Sequence, residues 1–206
     1  MGPLTGAPAR LSRAQARPGP RSGRGGAGRH RRECRMPYRL DITQGDWPGD
    51  LLHKGVDGLL AEAMVLTLAT AGHEHGPHAN LAFFAHDDDL VLYFVSERST
   101  RHSHHLAEEA RAAATVFLPP PAFGEQLRGL QLTGSASEAW GRQAEAALAA
   151  YQGRYPSFAQ DEETRRQYLT GSGAAALYRF QVEELTAVDE PNFGRRNYLR
   201  ARVLRG

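Results

Sequence analysis

The chain has 206 residues, 41% of them hydrophobic and 23% charged, which suits one ordinary domain rather than two. The formal charge of +2 hides two opposed halves: residues 1–35 carry nine arginines and one acid, Glu33, whereas the remainder carries 16 basic and 22 acidic side chains. The body is therefore mildly acidic, which excludes a broad basic surface with DNA or RNA as its main partner.

The only cysteine, Cys34, lies in the basic head, so the body has neither a disulfide nor thiol chemistry. No apolar run approaches the roughly 18 residues of a membrane span, and the head lacks the apolar stretch of a secretory signal. A cytoplasmic protein is expected. Residues 1–40, rich in Arg, Gly and Pro, have too few large apolar side chains to offset the entropy of ordering, and are expected to be disordered. They read as an arm for nucleic acid or another anionic surface, as a transit-like leader, or as sequence upstream of a natural start at Met36. The abrupt change of composition favours the last. The folded domain is expected over 41–206.

In chain order, Asp46 is placed to cap a helix over 49–62 whose Val56, Leu59, Leu60 and Ala63 follow helical spacing. Strands are expected at Met64–Thr70, Pro77–His86 and Leu90–Val95, joined by a Gly-His turn and by Asp87-Asp88-Asp89. Connections this short imply an antiparallel meander. A helix near 100–110, with Leu106, Ala107 and Ala110 on its buried face, and a strand over 112–118 come next. Pro119-Pro120-Pro121 breaks regular structure. A long strand spans Gln126–Ala139, with bends or bulges at Gly129 and Gly134. Trp140, Ala144, Ala147, Leu148, Tyr151 and Tyr155 mark a helix whose aromatic residues belong to the core. Residues 161–169 are polar and helix-compatible. Strands at Ala176–Val182, Leu185–Val188 and Tyr198–Val203 complete the chain. The order points to a mainly β, α+β fold: a small closed barrel of antiparallel strands with helices packed outside.

The junction between the third strand and the following helix carries the chemistry. Ser96, Arg98, Ser99, Thr100, Arg101 and His102 stand where a strand hands over to a helix. The first turn of a helix has unpaired N–H groups and the positive end of the dipole, and Arg and hydroxyl side chains complement phosphate oxygens. The plainer alternative is that Ser99 or Thr100 is only an N-cap, with Arg101 and His102 on a solvated face.

Other clusters have simpler explanations. His73, His75 and His78 form one group and His102, His104 and His105 another. No cysteine supports either, and adjacent helical side chains diverge by about 100°, so no metal site is expected. The three aspartates suit a hairpin turn. Glu108 and Glu109, neighbours on a helix, do not face each other as a catalytic pair. Hydrolase, Walker and dinucleotide motifs are absent.

The body, roughly 45–203, resembles the FMN-binding split-barrel superfamily, whose best-known member is pyridoxamine 5′-phosphate oxidase. The likeness rests on the strand at 77–86, the Asp-rich turn and FVSERSTRHSHHL at 94–106. A group of small, poorly characterised bacterial split barrels is more similar still, sharing the Thr-Arg-His segment, Arg128-Gly129-Leu130-Gln131 and the tail Asn192-Phe193-Gly194-Arg195-Arg196. The resemblance implies a split β-barrel, a homodimer with FMN at the subunit interface, and phosphate contacts from Ser96, Thr100, Arg101 and His102. Strand alternation would let Asn80, Arg128 and Gln131 reach the flavin ring, or else sets them on an outward, solvated face. His102 stands where the oxidase has Lys. The oxidase's substrate-phosphate grip, a Tyr with Arg four residues on, fails here because Tyr151 is followed by Tyr155. Its C-terminal Arg-x-His is replaced by Arg200-Ala201-Arg202. Pyridoxamine phosphate oxidation is thus disfavoured. The expected function is an FMN-dependent oxidoreductase moving hydride or electrons between NAD(P)H and a small molecule. A non-catalytic flavin or haem binding module is the alternative, and F420 in place of FMN stays open.

Overall fold

The computed structural model describes residues 38–73 and 76–205. The basic head, Cys34, the start at Met36 and His75 lie outside them. In chain order the elements are β1 (Tyr38–Gln44), α1 (Gly49–Glu62), β2 (Val65–Thr70), β3 (His78–His86), β4 (Val91–Glu97), α2 (Arg101–Glu108), β5 (Arg111–Leu118), β6 (Arg128–Glu138), α3 (Arg142–Arg154), α4 (Glu162–Thr170), β7 (Ala175–Asp189), α5 (Glu190–Phe193) and β8 (Tyr198–Arg205). No helix among the described residues is long and apolar enough to cross a membrane.

All strand pairings are antiparallel, and the order β7-β4-β3-β2-β5-β6 closes back onto β7 as a six-stranded barrel. β8 and then β1 extend the sheet from the far half of β7. Closure follows from side-chain alternation. Leu66 and Leu68 on β2, Phe84 on β3, Leu130 and Leu132 on β6 and Phe180 and Val182 on β7 all point into one core. The expected mainly β barrel with external helices is the fold observed. α1 buries Leu52, Val56, Leu59 and Leu60 in this core, at the spacing of one helical face. A second cluster lies outside the barrel, where Ala144, Ala147, Leu148 and Tyr151 of α3 cover Ala85, Val91, Tyr93 and Leu177.

Several expectations need correction. Asp46 does not cap α1; Pro48 holds the N-cap position and no side chain caps the helix. The segments 176–182 and 185–188 are one strand, β7, with a bulge: Thr133 faces Glu184 and Gly134 faces Val182, leaving Glu183 unpaired. Gly134 is needed there because any Cβ would collide with the Gln181 carbonyl oxygen. Trp140 is not core. It precedes α3, is 53% exposed, and lies over Gly171 beside the Arg98 guanidinium. α2 buries Ser103, His105 and Leu106, whereas Ala107 is exposed. β1, not expected as a strand, pairs with β8.

Arg154, in the last turn of α3, closes the end of α1. Its guanidinium donates to the carbonyls of Leu60 (2.8 Å), Ala61 (3.3 Å) and Ala63, and sits over the Phe84 ring. Those carbonyls have no intrahelical partner, so the guanidinium satisfies acceptors left over at the helix end. Arg154→Ala is expected to destabilise the fold by about 2 kcal/mol, the scale of charge-assisted hydrogen bonds lost together with packing, seen as a lower urea midpoint.

Candidate functional site

β4 delivers Ser96 to the mouth of the barrel, and a tight turn over 97–100 starts α2. Ser96 is 8% exposed and its Oγ lies 2.6 Å from His102 Nε2 and 3.0 Å from Thr100 Oγ1. Ser103 joins them, accepting from the Thr100 hydroxyl at 2.8 Å and donating to the Glu97 carbonyl at 2.8 Å. Three hydroxyls and an imidazole thus meet at the N-terminal end of α2. Thr100 occupies the N-cap position, yet its hydroxyl turns into this cluster and accepts from no backbone N–H of the helix. The plain capping role considered for Thr100 is therefore not what its side chain does.

The two arginines of the segment part company. The Arg98 guanidinium is held bidentately by Glu138, with Nε 3.0 and 3.1 Å from its two oxygens, and donates to the Gly173 carbonyl. It fastens the turn to β6 and to the segment that leads into β7. Arg101 is exposed and makes no salt bridge or side-chain hydrogen bond among the described residues, so its guanidinium is free to meet an anion.

Behind the hydroxyls lie two further imidazoles. The His78 ring stacks on His102 at 6.1 Å and meets His105 edge-on at 6.2 Å, and His105 Nδ1 lies 3.1 Å from the Thr70 hydroxyl. Burial first, then the charges of His78 and His105, push the His102 pKa below its usual value. His102 is thus neutral near pH 7 until an anion favours its protonated form. His78 from the first histidine group and His102 and His105 from the second meet here, but no described group of three His, Cys, Asp or Glu side chains can hold a metal ion.

A cleft of about 890 Å³ runs from Ser96 and His102 past Asn80–Phe83 to a wall built by α3, α4 and the segment between them. Asn80 lines it, and its buried Oδ1 has no hydrogen-bond partner. Ser96, His102 and Asn80 of the expected site therefore share one cavity, with Thr100 bonded to Ser96 and the exposed Arg101 next to Thr100 in the chain. Arg128 does not join them. Its guanidinium lies 3.0 Å from Glu62 and 3.5 Å from the buried carboxylate of Asp189. Gln131 is exposed on the outer face of β6, and the register places it three strands from Leu81 through Thr115 and Thr67. Sequence reasoning missed Ser103, the stacking of His78, and the aromatic wall. Ser103 was visible as i+3 from Thr100; the other two depend on contacts between distant segments.

Asp87 explains the acidic turn without a cation. Its Oδ1 accepts from the backbone N–H of Asp89 and Val91, both at 3.0 Å, and its Oδ2 accepts from the Tyr93 hydroxyl at 2.6 Å. The turn carries Leu90 at φ 57° with its side chain buried.

Among solved structures, a haem-binding protein from Mycobacterium smegmatis is similar in fold, with a TM-score of 0.58 and 17% identity over 77% of this chain; the chain spans only 60% of that protein's length. HutZ, the haem storage protein of Vibrio cholerae, has a TM-score of 0.54 and 15% identity over 66% of this chain and 94% of its own. At these identities the likeness is one of fold alone. In sequence, the UPF0306 protein PM1958 of Pasteurella multocida is 31% identical over 114 residues, covering 55% of this chain and 75% of that protein. The family described as pyridoxamine 5′-phosphate oxidase matches residues 52–189. That match takes in most of α1, the whole β2–β4 meander, the hydroxyl cluster and every barrel strand, and the chain accordingly belongs to the pyridoxamine 5′-phosphate oxidase family of split barrels.

Proposed function

We propose that the protein is an FMN-binding flavoprotein acting as an oxidoreductase. The observation that carries this reading is the uncapped start of α2, where the Thr100 hydroxyl joins Ser96 and His102 and an unpaired Arg101 stands alongside. Such a group suits a phosphate dianion. Helix N–H groups and hydroxyls donate to it, a guanidinium pairs with it, and an imidazole can take up a proton beside it. The adjoining cleft suits the rest of the nucleotide. Asn80 Oδ1, buried without a donor, would accept from the ribityl chain or ring, and the outer side of Leu81–Phe83 would support an apolar ring face. Gln131, roughly 14 Å from Leu81 at the usual strand spacing, would meet a ring system laid across β2 and β5. Bound flavin would supply hydride or electron transfer at its ring, and NAD(P)H is the electron donor in this reading.

The outer face of β3, β2, β5 and β6 supports a homodimer with flavin at its interface. Leu81, Phe83 and Phe117 are 73%, 62% and 56% exposed there, with uncharged Thr67, Thr115 and Gln131 between them. A patch of this kind is unusual on a monomer. A cytoplasmic location is part of the same reading.

A second reading, a non-catalytic haem or flavin carrier, is favoured by the names of the haem-binding and haem-storage relatives and by the apolar cleft beside His102. Absorption spectra of the purified protein titrated with FMN and with haemin separate the two. Saturable perturbation of the flavin bands, followed by bleaching with NAD(P)H, supports the first. A shifted Soret band with no response to FMN supports the second.

A further inference from the structure

The far wall of the cleft is aromatic, and its chemistry constrains what binds beside the cofactor. Phe83 meets Tyr155 edge-on at 6.3 Å, and Tyr151, Phe158 and Tyr168 continue as tilted rings with centroids 4.8 and 5.1 Å apart. The tyrosine tips are already engaged. Tyr151 donates to the Phe83 carbonyl at 2.6 Å and Tyr155 to the Phe84 carbonyl at 2.8 Å, which pins α3 to β3 and fixes both rings. Burial raises the pKa of Tyr151 and Tyr168, so neither supplies a negative charge. Among the described residues the lining holds no Lys, Arg, Asp or Glu, and its only group able to carry positive charge is His102 at the opposite end. Arg154 on α3 lies over the Tyr155 ring at 5.8 Å but does not line the cleft, and its guanidinium donates to the carbonyls that end α1.

We propose that the second ligand of this cleft, bound beside the flavin, is an uncharged planar aromatic molecule that packs on Tyr155 and Phe158. This rests on the flavin reading for its partner but on the wall alone for its selectivity. Aromatic rings favour offset or edge-on contact with other rings, and a rigid wall loses little entropy on binding. An anionic ligand would set its charge against rings, with no cation in the lining beside it and the Arg154 guanidinium already hydrogen-bonded to carbonyls, so its desolvation would go largely uncompensated. The cleft is of a size suited to small-molecule ligands.

The test uses full-length protein, with and without FMN, titrated calorimetrically near neutral pH with 2-naphthol and with 2-naphthalenesulfonate, which share a ring system but differ in charge. Naphthol is expected to bind at least about tenfold more tightly than the sulfonate. Thr164→Lys, a change on the solvent-accessible rim of the wall, is expected to reverse that order by giving the sulfonate a counter-ion. In FMN-loaded protein naphthol is also expected to shift the flavin bands. Equal or tighter binding of the sulfonate by the unaltered protein, or no binding of naphthol, overturns the proposal. Failure to take up FMN with the naphthol preference intact defeats the flavin reading and leaves the selectivity of the wall standing.

Discussion

Arg101→Ala is expected to weaken FMN binding by about 10- to 100-fold while leaving the fold unchanged, since a hydrogen-bonded charge pair contributes roughly 1.5–3 kcal/mol. The two halves of this expectation come from different observations. The side chain is exposed and has no partner among the described residues, so its removal breaks no contact described in the barrel. It also starts the helix whose first turn lacks a side-chain cap, so it stands where a dianion would dock. Arg98→Ala provides the contrast. Its guanidinium is spent on Glu138 and Gly173, so its loss is expected to lower the urea midpoint as well as affinity. Fluorescence quenching of FMN gives the affinities and circular dichroism the fold.

The second large effect concerns the imidazole in the phosphate segment. Burial and two neighbouring histidines lower the His102 pKa, so the free protein holds it neutral above about pH 6.5, its unperturbed value. A dianion docked at the hydroxyls that touch the His102 ring would favour its protonated form, so binding would take up a proton. By linkage, affinity then rises as pH falls and is lost as pH rises. The phosphate's own second ionisation, near pH 6, works in the opposite direction, so the wild-type profile alone is blunted. His102→Lys isolates the effect. A lysine stays charged across the range, so the variant is expected to bind FMN about tenfold more tightly than wild type near pH 8.5 and within about threefold of it near pH 6. Parallel profiles for the two proteins would mean that His102 does not take up a proton when FMN binds.

What the sequence displayed and what it concealed divide along a physical line. Helix α1 and the β2–β4 meander were legible because Leu52, Val56, Leu59 and Leu60 repeat at helical spacing and short turns separate apolar runs. β1 escaped notice although Tyr38, Leu40 and Ile42 alternate. It is an outer strand paired with β8 from the far end of the chain, and in the sequence it follows directly on the basic head. β7 looked like two strands because Glu183 and Glu184 interrupt its apolar run, and only pairing with β6 shows that the break is a bulge. Ser96, Thr100 and His102 of the hydroxyl cluster were legible because they lie within one short stretch, whereas Ser103, which completes it, was not singled out. Arg128 shows the limit of such reading. A strand position places a side chain on a face, but the buried carboxylate of Asp189 that claims its guanidinium is 61 residues away. His78 on His102 and the aromatic wall are likewise products of the tertiary fold.

The most direct test of phosphate docking at Ser96, Thr100, Arg101 and His102 compares FMN with riboflavin, which has the same ring and ribityl chain but no phosphate. FMN is expected to bind at least about 100-fold more tightly, the sum of one ion pair and several hydroxyl and helix N–H contacts. Riboflavin binding within about threefold of FMN would contradict the account, because the start of α2 would then hold no phosphate.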